Sequence, residues 1–518
     1  MLKSAFAPIL STIPSKPKFP VLSISACKAF TQKTPLTPTV RENASTNTIN
    51  TFQPSLSSPT SAYVHLPFCR KRCHYCDFPI VALGSSSNQT YDDDPRITNY
   101  VQLLCREIEA TTISKSNNDP PLKTVFFGGG TPSLVPPKLV FKILETLNSK
   151  FGVNSDAEIS IEMDPGTFDA KKMSELLELG VNRVSLGVQA FQEELLKACG
   201  RAHSVKEVYE AIEIIGSCGV NNWSLDLISS LPHQTSEMWK ESLESAIKAR
   251  PTHVSVYDLQ VEKDTKFGLL YKPGEFPLPN ETQSAELYKM ASKTLSNAGY
   301  NHYEISSYSK EGYECKHNLT YWKNGFFYAF GLGSASHIGG VRFSRPRKMK
   351  EYTGYVQNLE DGVLNHHENG EGDAKDLEMD VVMLSLRTAR GLDLKSFREA
   401  FGSSLVFSLC KTFRPYIESG HVLLLDENRR ALTAEEFSSV LSSESDIEET
   451  VAFIRLSDPD GFLLSNDSAE SVSRLISVKK FVKKLARPIH WCSFIGGVLT
   501  RVSLMREKSR MRRTYQAV

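Results

Sequence analysis

The segment from Tyr63 to Phe78 reads Tyr-Val-His-Leu-Pro-Phe-Cys-Arg-Lys-Arg-Cys-His-Tyr-Cys-Asp-Phe. Its three cysteines, Cys69, Cys73 and Cys76, are spaced C-x3-C-x2-C. Thiolates suit zinc or an iron–sulfur cluster, but a closed zinc site needs a fourth ligand, and no second Cys/His pair at zinc-finger spacing follows. Three thiolates on a four-iron cube leave one iron open. The spacing therefore predicts a [4Fe-4S] cluster that binds a substrate or cofactor.

The composition of the chain is ordinary for a soluble globular enzyme. Its 518 residues are 40% hydrophobic and 23% charged, enough for two or three domains with a buried core. The ten cysteines are scattered apart from the one group, which indicates a reducing compartment and not a disulfide framework. No uncharged apolar run reaches the roughly 18–20 residues that span a bilayer.

Residues 1–60 differ in composition from the rest of the chain. They are rich in Ser, Thr and Pro, and Glu42 is their single acidic residue. Such a segment buries too little apolar surface to order itself, so a disordered leader is expected. Acid-poor, hydroxylated leaders are typical of organelle transit peptides. No Arg precedes Arg41, which favours the chloroplast over the mitochondrion. A plain disordered tail is the alternative.

From Ser61 onward, short apolar runs alternate with helical patterns. The predicted strands are Tyr63–Pro67, Lys123–Phe127, Glu158–Met163, Arg183–Val188, Asn222–Ile228 and His253–Tyr257. The predicted helices are Ile97–Thr112, Pro137–Lys150, Asp169–Leu179, Val205–Cys218 and Met238–Ala249. This alternation predicts an α/β fold with a parallel sheet and crossover helices, either open or closed into a barrel.

Polar and glycine residues fall where the predicted strands end. These are the cysteine loop, the segment Gly128–Thr131, Glu162, Gln189 and Asp226. In parallel α/β folds the carboxyl ends of the strands carry the functional site. A glycine run is often only a tight turn, and a lone strand-end carboxylate is often only a helix cap. Their joint placement is what favours a site at this edge.

Beyond Gly370 the pattern becomes mostly helical, which predicts a smaller C-terminal domain at 371–477 with a Ser/Glu-rich surface insertion near 432–455. The tail 478–518 holds eleven Lys and Arg residues against a single Glu. A solvated extension is the favoured interpretation of that tail. The alternatives are attraction to an anionic membrane surface or to nucleic acid.

The cysteine triplet, with Tyr75 just before the third cysteine, resembles the radical S-adenosylmethionine (radical SAM) enzymes. Within them it resembles the anaerobic coproporphyrinogen oxidase-like branch over about residues 61–480. The resemblance implies a partial (β/α)6 TIM-like barrel at 61–310 with a smaller, mostly helical C-terminal domain. It also implies that Cys69, Cys73 and Cys76 hold the cluster, whose open iron chelates the amino and carboxylate groups of S-adenosylmethionine.

The branch also implies a set of S-adenosylmethionine-binding residues. By position these are Tyr63, Tyr75, Gly129, Gly130, Thr131, Glu162, Gln189, Arg201 and Asp226. The glycines let the backbone approach the methionyl amino group closely. Glu162 suits the ammonium, Asp226 suits ribose hydroxyls, and Arg201 suits a carboxylate that its planar guanidinium grips.

Two features divide the branch. Authentic coproporphyrinogen dehydrogenases carry another cysteine two positions after the third, where this chain has Phe78. In segment 311–370, a His-Asn-x-x-Tyr-Trp string resembles the hallmark of the HemW family of heme chaperones, which implies heme binding by His317, Asn318, Tyr321 and Trp322. A His with nearby aromatics suits an axial iron ligand and macrocycle packing. His337 and Cys315 are further candidate ligands, although a buried structural thiol is the commoner case.

The resemblance therefore implies a heme chaperone that binds a [4Fe-4S] cluster, S-adenosylmethionine and heme, and that passes heme to an acceptor protein. The alternative is oxygen-independent coproporphyrinogen III oxidation, and no catalytic residue is assigned. Nucleic-acid modification is suggested only by the basic tail, and no nucleic-acid partner is expected. An electron donor for the cluster is implied, while contact with a membrane surface and a homodimer remain open.

Overall fold

The computed structural model describes residues 58–84, 91–112, 120–363, 374–440 and 444–465. Nearly all of the predicted leader 1–60 and the whole of the predicted basic tail 478–518 lie outside these ranges. No helix in the described ranges combines the length and apolar character needed to cross a membrane.

The described strands, numbered in chain order, are β1 (Ser61–Leu66), β2 (Phe68–Cys69), β3 (Val81–Ala82), β4 (Leu122–Gly129), β5 (Val153–Met163), β6 (Arg183–Gln189), β7 (Trp223–Ser229), β8 (His253–Asp258), β9 (Asn301–Glu304), β10 (Ser307–Ser309), β11 (Tyr328–Phe330), β12 (Ala335–Ile338), β13 (Val341–Ser344), β14 (Leu392–Asp393), β15 (Val422–Leu425) and β16 (Phe453–Leu456).

The described helices are α1 (Pro95–Ala110), α2 (Pro137–Phe151), α3 (Ala170–Glu178), α4 (Glu193–Ala198), α5 (Val205–Ser217), α6 (Ser236–Ala249), α7 (Lys266–Leu270), α8 (Glu281–Asn297), α9 (Lys316–Trp322), α10 (Met349–Glu360), α11 (Ala374–Leu386), α12 (Leu394–Phe401), α13 (Ser403–Glu418), α14 (Ala434–Val440), α15 (Glu444–Thr450) and α16 (Asp460–Leu463).

Within these residues, nine strands form one mostly parallel sheet in the order β11-β1-β4-β5-β6-β7-β8-β10-β9. The six predicted strands are β1, β4, β5, β6, β7 and β8, and each pairs in parallel with the next. β11 adds a parallel strand beside β1, while β10 and β9 extend the other edge antiparallel. The predicted α/β fold is therefore confirmed. Among the described residues the sheet is open, with β11 and β9 as its edge strands, and no hydrogen-bonded pairing between these two closes it into a barrel.

The two faces of this sheet differ in chemistry. Val125, Ile161 and Leu225 belong to the main apolar core, together with side chains of the crossover helices. Alternate positions carry polar groups: Thr124 pairs with Glu158 between β4 and β5. Because successive strand residues point to opposite faces, the helices cover an apolar face and the other face is lined by polar side chains.

The crossover helices begin and end at residues with clear local signals. The Ser204 side chain accepts the backbone N–H of Glu207, whose carboxylate accepts the Ser204 N–H, so α5 starts at a capping box. α3 ends before Gly180, whose φ is +94°, as expected for a helix-terminating glycine. These local signals explain why the predicted helix bounds lie within about two residues of the observed ones.

The described C-terminal residues combine the helices α11 to α16 with an antiparallel three-stranded sheet in the order β14-β16-β15. A second apolar core fills the space between them. Phe437, Ile447 and Ile454, all inside the segment interpreted from sequence as a surface insertion, are buried in that core. The stretch near 432–455 therefore contributes to the packing of this region.

Candidate metal and cofactor site

The three cysteines of the motif lie on a loop that leaves the carboxyl end of β1. β2 ends at Cys69 and pairs in parallel with β3, where the Leu83 N–H donates to the Cys69 carbonyl at 2.8 Å. The loop turns where the Cys76 N–H approaches the Cys73 carbonyl at 3.3 Å. All three cysteines have free thiols and are half-buried. The loop thus presents three sulfurs from one short segment.

Burial raises the pKa of the Cys69 thiol to about 12 and that of the Cys76 thiol to about 11. Both groups are therefore protonated without a metal, and metal binding would displace their protons. Among the described residues, no three His, Cys, Asp or Glu side chains are arranged to hold a single metal ion. A four-iron cube is bound at three different irons, so this finding concerns only mononuclear sites. The three sulfurs fit the cube in number and type.

The glycine segment after β4 lies directly against the cysteine strand. The Gly130 N–H donates to the Leu66 carbonyl at 2.9 Å, and the Thr131 N–H donates to the Phe68 carbonyl at 2.6 Å. A Cβ at Gly130 would lie 2.6 Å from the Phe68 carbonyl oxygen, so only glycine fits at this position. The Thr131 hydroxyl lies 3.6 Å from Cys69 Sγ. The segment therefore holds the first cysteine in place.

Two carboxylates lie on the polar face of the sheet: Glu162, near the carboxyl end of β5, is half-buried, and Asp226, in the middle of β7, is buried. The Gly129 N–H donates to Glu162 at 3.0 Å, and burial, followed by repulsion from Asp226, raises the pKa of Glu162 to about 7. Burial also raises the pKa of Asp226, which accepts hydrogen bonds from Ser185 and Ser224 at 2.9 Å each. Two adjacent, desolvated carboxyl groups favour a cationic ligand.

Arg201 lies at the centre of a network around the cysteine loop. Its guanidinium forms an ion pair with Asp164 and donates to Cys73 Sγ at 3.4 Å and to the Tyr75 hydroxyl at 3.2 Å. Burial opposes the ionisation of Asp164, but the charges of Arg201, His203 and Arg70 keep its pKa far below the usual value. In this structure Arg201, predicted to grip a ligand carboxylate, binds a carboxylate of its own chain.

Asp164 itself was missed by sequence reasoning. The available signal was its position, because it directly follows Met163, the last residue of β5, and lies two residues after Glu162.

The remaining members of the predicted cofactor set are Gln189, at the carboxyl end of β6, and Tyr63, inside β1. Gln189, the last residue of β6, has a φ of +71°, and its buried Oε1 has no hydrogen-bond partner among the described groups. An unpaired buried acceptor is costly unless a ligand donates to it. The Tyr63 ring stacks on Phe126 at 6.2 Å. The unpaired Oε1 of Gln189 fits a ligand that donates an N–H group. The carboxyl groups of Glu162 and Asp226, whose pKa values are raised, fit a ligand that carries N–H or cationic groups.

The His-Asn-x-x-Tyr-Trp string forms the helix α9, which packs on the polar face of the sheet. His317 is fully buried: its Nδ1 lies 2.7 Å from Thr124 Oγ1 and its Nε2 lies 2.7 Å from the Tyr321 hydroxyl. Burial, and then the charge of Arg183, lower the pKa of His317 to about 3. Glu158 accepts the His317 N–H at 3.1 Å and so fixes the start of α9. The imidazole is therefore neutral and uses both ring nitrogens.

The other motif residues divide between two environments. Tyr321 is buried beside His317, whereas Trp322 packs into the C-terminal apolar core and Asn318 keeps some solvent exposure. The Phe126 ring stacks on the His317 ring, with centroids 5.2 Å apart, and it also stacks on the Tyr63 ring. The motif helix and the predicted cofactor residues therefore share one wall of the site.

The two further candidate ligands are also enclosed. His337 Nδ1 lies 3.1 Å from the Gly325 carbonyl oxygen, and its strand β12 pairs with β13. Cys315 is fully buried, with its Sγ 3.8 Å from Glu158 Oε1. Burial raises the pKa of the Cys315 thiol to about 12, so it is a protonated group at neutral pH.

The chain is similar to known proteins in both sequence and fold. The profile of the Radical SAM superfamily matches residues 63–246. The heme chaperone HemW of Synechocystis is 40% identical over 414 residues, covering 79% of this chain and 95% of that protein. HemW of Bacillus subtilis is 36% identical over 346 residues, covering 67% of this chain and 88% of that protein.

Among solved structures, coproporphyrinogen III oxidase (HemN) of Escherichia coli superposes with a TM-score of 0.61 at 20% identity. The match covers 82% of this chain and 92% of that one. At this identity the likeness concerns the fold alone.

Proposed function

The chain belongs to the HemW family within the radical SAM superfamily, and from this premise we propose that it is a heme chaperone. It binds a [4Fe-4S] cluster, S-adenosylmethionine and heme, and it transfers heme to an acceptor protein. The observation that carries the proposal is the position of α9. The helix that bears the His-Asn-x-x-Tyr-Trp string is hydrogen-bonded to Thr124 and Glu158, on the polar face that also carries the cofactor residues.

In this proposal Cys69, Cys73 and Cys76 hold the cluster, which supplies an electron-accepting centre and an open iron. Thr131 and Arg201 lie within donor distance of two of the sulfurs, so they offset the negative charge that the thiolates acquire. Ionised Glu162, with Asp226 beside it, attracts the positive groups of S-adenosylmethionine. Gln189 Oε1 accepts a ligand N–H or O–H, which satisfies the orphan acceptor.

For heme, we propose that α9 forms part of the binding site. With Nε2 bonded to Tyr321 and Nδ1 bonded to Thr124, His317 ligates iron only after one of these bonds opens. Tyr321 lies on the same short helix, so a rotation of its side chain is enough to release Nε2. Heme binding and a rearrangement inside α9 are therefore coupled in this proposal.

The second candidate function is oxygen-independent coproporphyrinogen III oxidation, favoured by the fold shared with HemN. That reaction requires porphyrinogen turnover with reductant and S-adenosylmethionine in the absence of oxygen. Phe78, at the position where the authentic dehydrogenases carry a further cysteine, favours the chaperone instead.

We also propose that residues 1–60 direct the protein to an organelle, with the chloroplast favoured over the mitochondrion. The acid-poor leader and the high identity to a cyanobacterial relative support this assignment. A fusion of residues 1–60 to a fluorescent reporter tests it, and a diffuse cytosolic signal would reject it. A homodimer stays a prediction, which size-exclusion chromatography with light scattering checks.

Spectral titration with heme tests the chaperone proposal. The cluster-loaded protein is expected to bind heme saturably and to release it to a heme-free acceptor such as apomyoglobin. His317→Ala is expected to weaken binding, while His233→Ala, a change at an exposed histidine, serves as the matched control. Equal heme affinity in His317→Ala and the control would remove α9 from the heme site.

A further inference from the structure

The cysteine loop carries an exposed cluster of positive charge that the cofactor chemistry does not use. Lys71 and Arg72 stand between the first two cysteines, and both are exposed. Arg72 Nη1 donates to the carbonyls of Cys76 at 3.1 Å and Phe78 at 2.8 Å, so its side chain lies along the loop. Arg70 differs, because it is ion-paired to Asp164 and Glu207.

Two cations from distant parts of the chain contact the same loop. Arg347 donates to the Asp77 carbonyl and lies 3.9 Å from the Asp77 carboxylate, but its side chain is still 45% exposed. Lys266 Nζ lies 3.0 Å from His74 Nε2, and the lysine is exposed. We call Lys71, Arg72, Lys266 and Arg347 the basic rim. Asp77 is the only acidic residue of the loop 69–79, so positive charge dominates here although the whole chain has a formal net charge of only +1.

An exposed apolar patch adjoins the basic rim. α7 begins at Lys266, and its Phe267 is buried against His74, with the Phe267 N–H donating to the His74 carbonyl at 2.9 Å. The next turn exposes Leu269 by 81% and Leu270 by 58%. A single exposed leucine is common on protein surfaces, but two adjacent ones provide contiguous apolar surface that a partner protein can cover. Positive charge beside an apolar patch indicates a partner that is acidic and that contacts both.

We propose that the basic rim and the exposed face of α7 form the docking surface for a small acidic one-electron carrier protein, which reduces the cluster. This inference rests on the cluster part of the proposed function. One electron passes from the reduced carrier to the oxidised cluster, so the carrier is oxidised and the cluster reduced, and no bond or proton is exchanged. Opposite charge raises the rate of encounter, and weak redox encounters use small interfaces.

The basic rim lies on and against the cysteine loop itself, and this position favours a role in electron transfer to the cluster. Lys71 and Arg72 lie within the segment that bears the three cysteines. Lys266 contacts the His74 side chain of this segment, and Arg347 contacts its backbone at the Asp77 carbonyl. A carrier centred on this rim is therefore brought against the loop that holds the metal. The competing explanation is that the cations only offset thiolate charge, in which case they act on the cluster itself and not on a partner.

The test is a stopped-flow measurement of cluster reduction under anaerobic conditions. The donor is a photoreduced plant-type ferredoxin, an acidic protein, and a second donor is the methyl viologen radical cation. The Lys71→Glu/Lys266→Glu variant is compared with Lys142→Glu/Lys293→Glu, which makes the same charge change at exposed positions of α2 and α8. Binding of oxidised ferredoxin is measured in parallel by calorimetry.

For the rim variant, reduction by ferredoxin is expected to slow about tenfold or more at low ionic strength, with weaker ferredoxin binding. Salt near 0.15 M is expected to slow the wild type, because the Debye length falls to about 8 Å. Methyl viologen is expected to reduce the rim variant as fast as the wild type, and the control variant is expected to behave as the wild type does.

An unchanged ferredoxin rate in the rim variant would overturn the docking proposal. An equal loss of rate with methyl viologen would also overturn it, because the cations would then act on the cluster. Failure of the proposed function gives a different result, since the wild-type protein would then show no iron–sulfur absorbance to bleach or no heme binding.

Discussion

The Nε2 atom of His317 lies 2.7 Å from the hydroxyl oxygen of Tyr321, one helical turn further along α9. The Nδ1 atom lies 2.7 Å from Thr124 Oγ1 on β4. Both nitrogens of the first residue of the heme-chaperone string are thus bonded inside the protein. The bond to Tyr321 is internal to α9, whereas the bond to Thr124 attaches the helix to the sheet.

Tyr321→Phe is predicted to strengthen heme binding about fivefold. The substitution removes the hydroxyl that competes with iron for Nε2, and a net hydrogen bond contributes about 1 kcal/mol. Heme titration of the cluster-loaded variant measures the change. An affinity equal to that of the wild type would mean that Nε2 does not reach the iron.

His317→Ala is predicted to lower the free energy of unfolding by about 2–4 kcal/mol, because it leaves a cavity and two unpaired hydroxyls in a buried site. Tyr321→Phe is predicted to cost about 1 kcal/mol. Urea unfolding of the cluster-free proteins measures both values. His233→Ala, at the surface, is the control and should stay within about 0.5 kcal/mol of the wild type. A loss in His317→Ala no larger than in this control would contradict the observed packing.

Replacement of any one of Cys69, Cys73 and Cys76 by serine is predicted to abolish a stable cluster, since each sulfur ligates a different iron. Iron content and visible absorbance after anaerobic reconstitution provide the measurement. Cys218→Ser, at a half-buried cysteine outside the loop, is the matched control. Full iron content in a loop variant would assign the cluster to other ligands.

Gly130→Ala is predicted to disrupt the cysteine strand, because the new Cβ would lie 2.6 Å from the Phe68 carbonyl oxygen. Iron retention and S-adenosylmethionine binding are both expected to fall. Gly216→Ala is the control, since no atom lies within 4 Å of a Cβ at that position. Gly216 lies inside α5, so this change should stabilise the protein by about 0.5–1 kcal/mol. Normal cofactor binding in Gly130→Ala would show that the close contact is not required.

The affinity for S-adenosylmethionine is predicted to rise between about pH 5.5 and pH 7.5. Burial, and then Asp226, raise the pKa of Glu162 from 4.5 to about 7, so the folded cofactor-free protein holds a proton there that the unfolded chain has already lost. The contribution of protonated Glu162 to the free energy of unfolding is therefore lost as the pH rises through 7. Over the same range the carboxylate becomes ionised and attracts the cationic ligand more strongly.

Glu162→Gln separates these effects. The variant is predicted to lose the pH dependence of S-adenosylmethionine binding and to unfold at a higher temperature than the wild type at pH 8 but not at pH 4. Calorimetric titration and thermal unfolding across this range measure both. A pH dependence that persists in the glutamine variant would point to another titrating group.

The regular alternation of apolar strands and amphipathic helices made the sheet predictable from sequence. Most of the six parallel strands alternate buried apolar residues on the helix face with polar residues on the other face, and this period of two gives them a strong local signal. β9, β10 and β14 are two to four residues long, and their pairing depends on distant partners. Such short strands have no sequence signal of their own, so the edge strands and the small C-terminal sheet were not predicted.

The site shows the same division. The cysteine spacing and the glycine segment identified the loop around Cys69, because their chemistry is local. The ion pair of Arg201 with Asp164 joins positions 37 residues apart, and the bond of His317 to Thr124 joins positions 193 apart. Side-chain partners at these separations are set by the packing of the whole sheet, so sequence alone assigned Arg201 and His317 to ligands and did not identify Asp164 and Thr124 as their partners.

A heme titration and a porphyrinogen assay, run on one anaerobic preparation that holds its cluster and S-adenosylmethionine, distinguish a heme chaperone from an oxidase. A chaperone is expected to bind heme saturably with a stoichiometry near a single heme per chain, to transfer it to the heme-free acceptor, and to oxidise no porphyrinogen. Turnover of coproporphyrinogen III without heme binding would contradict this expectation and would make the protein an oxidase.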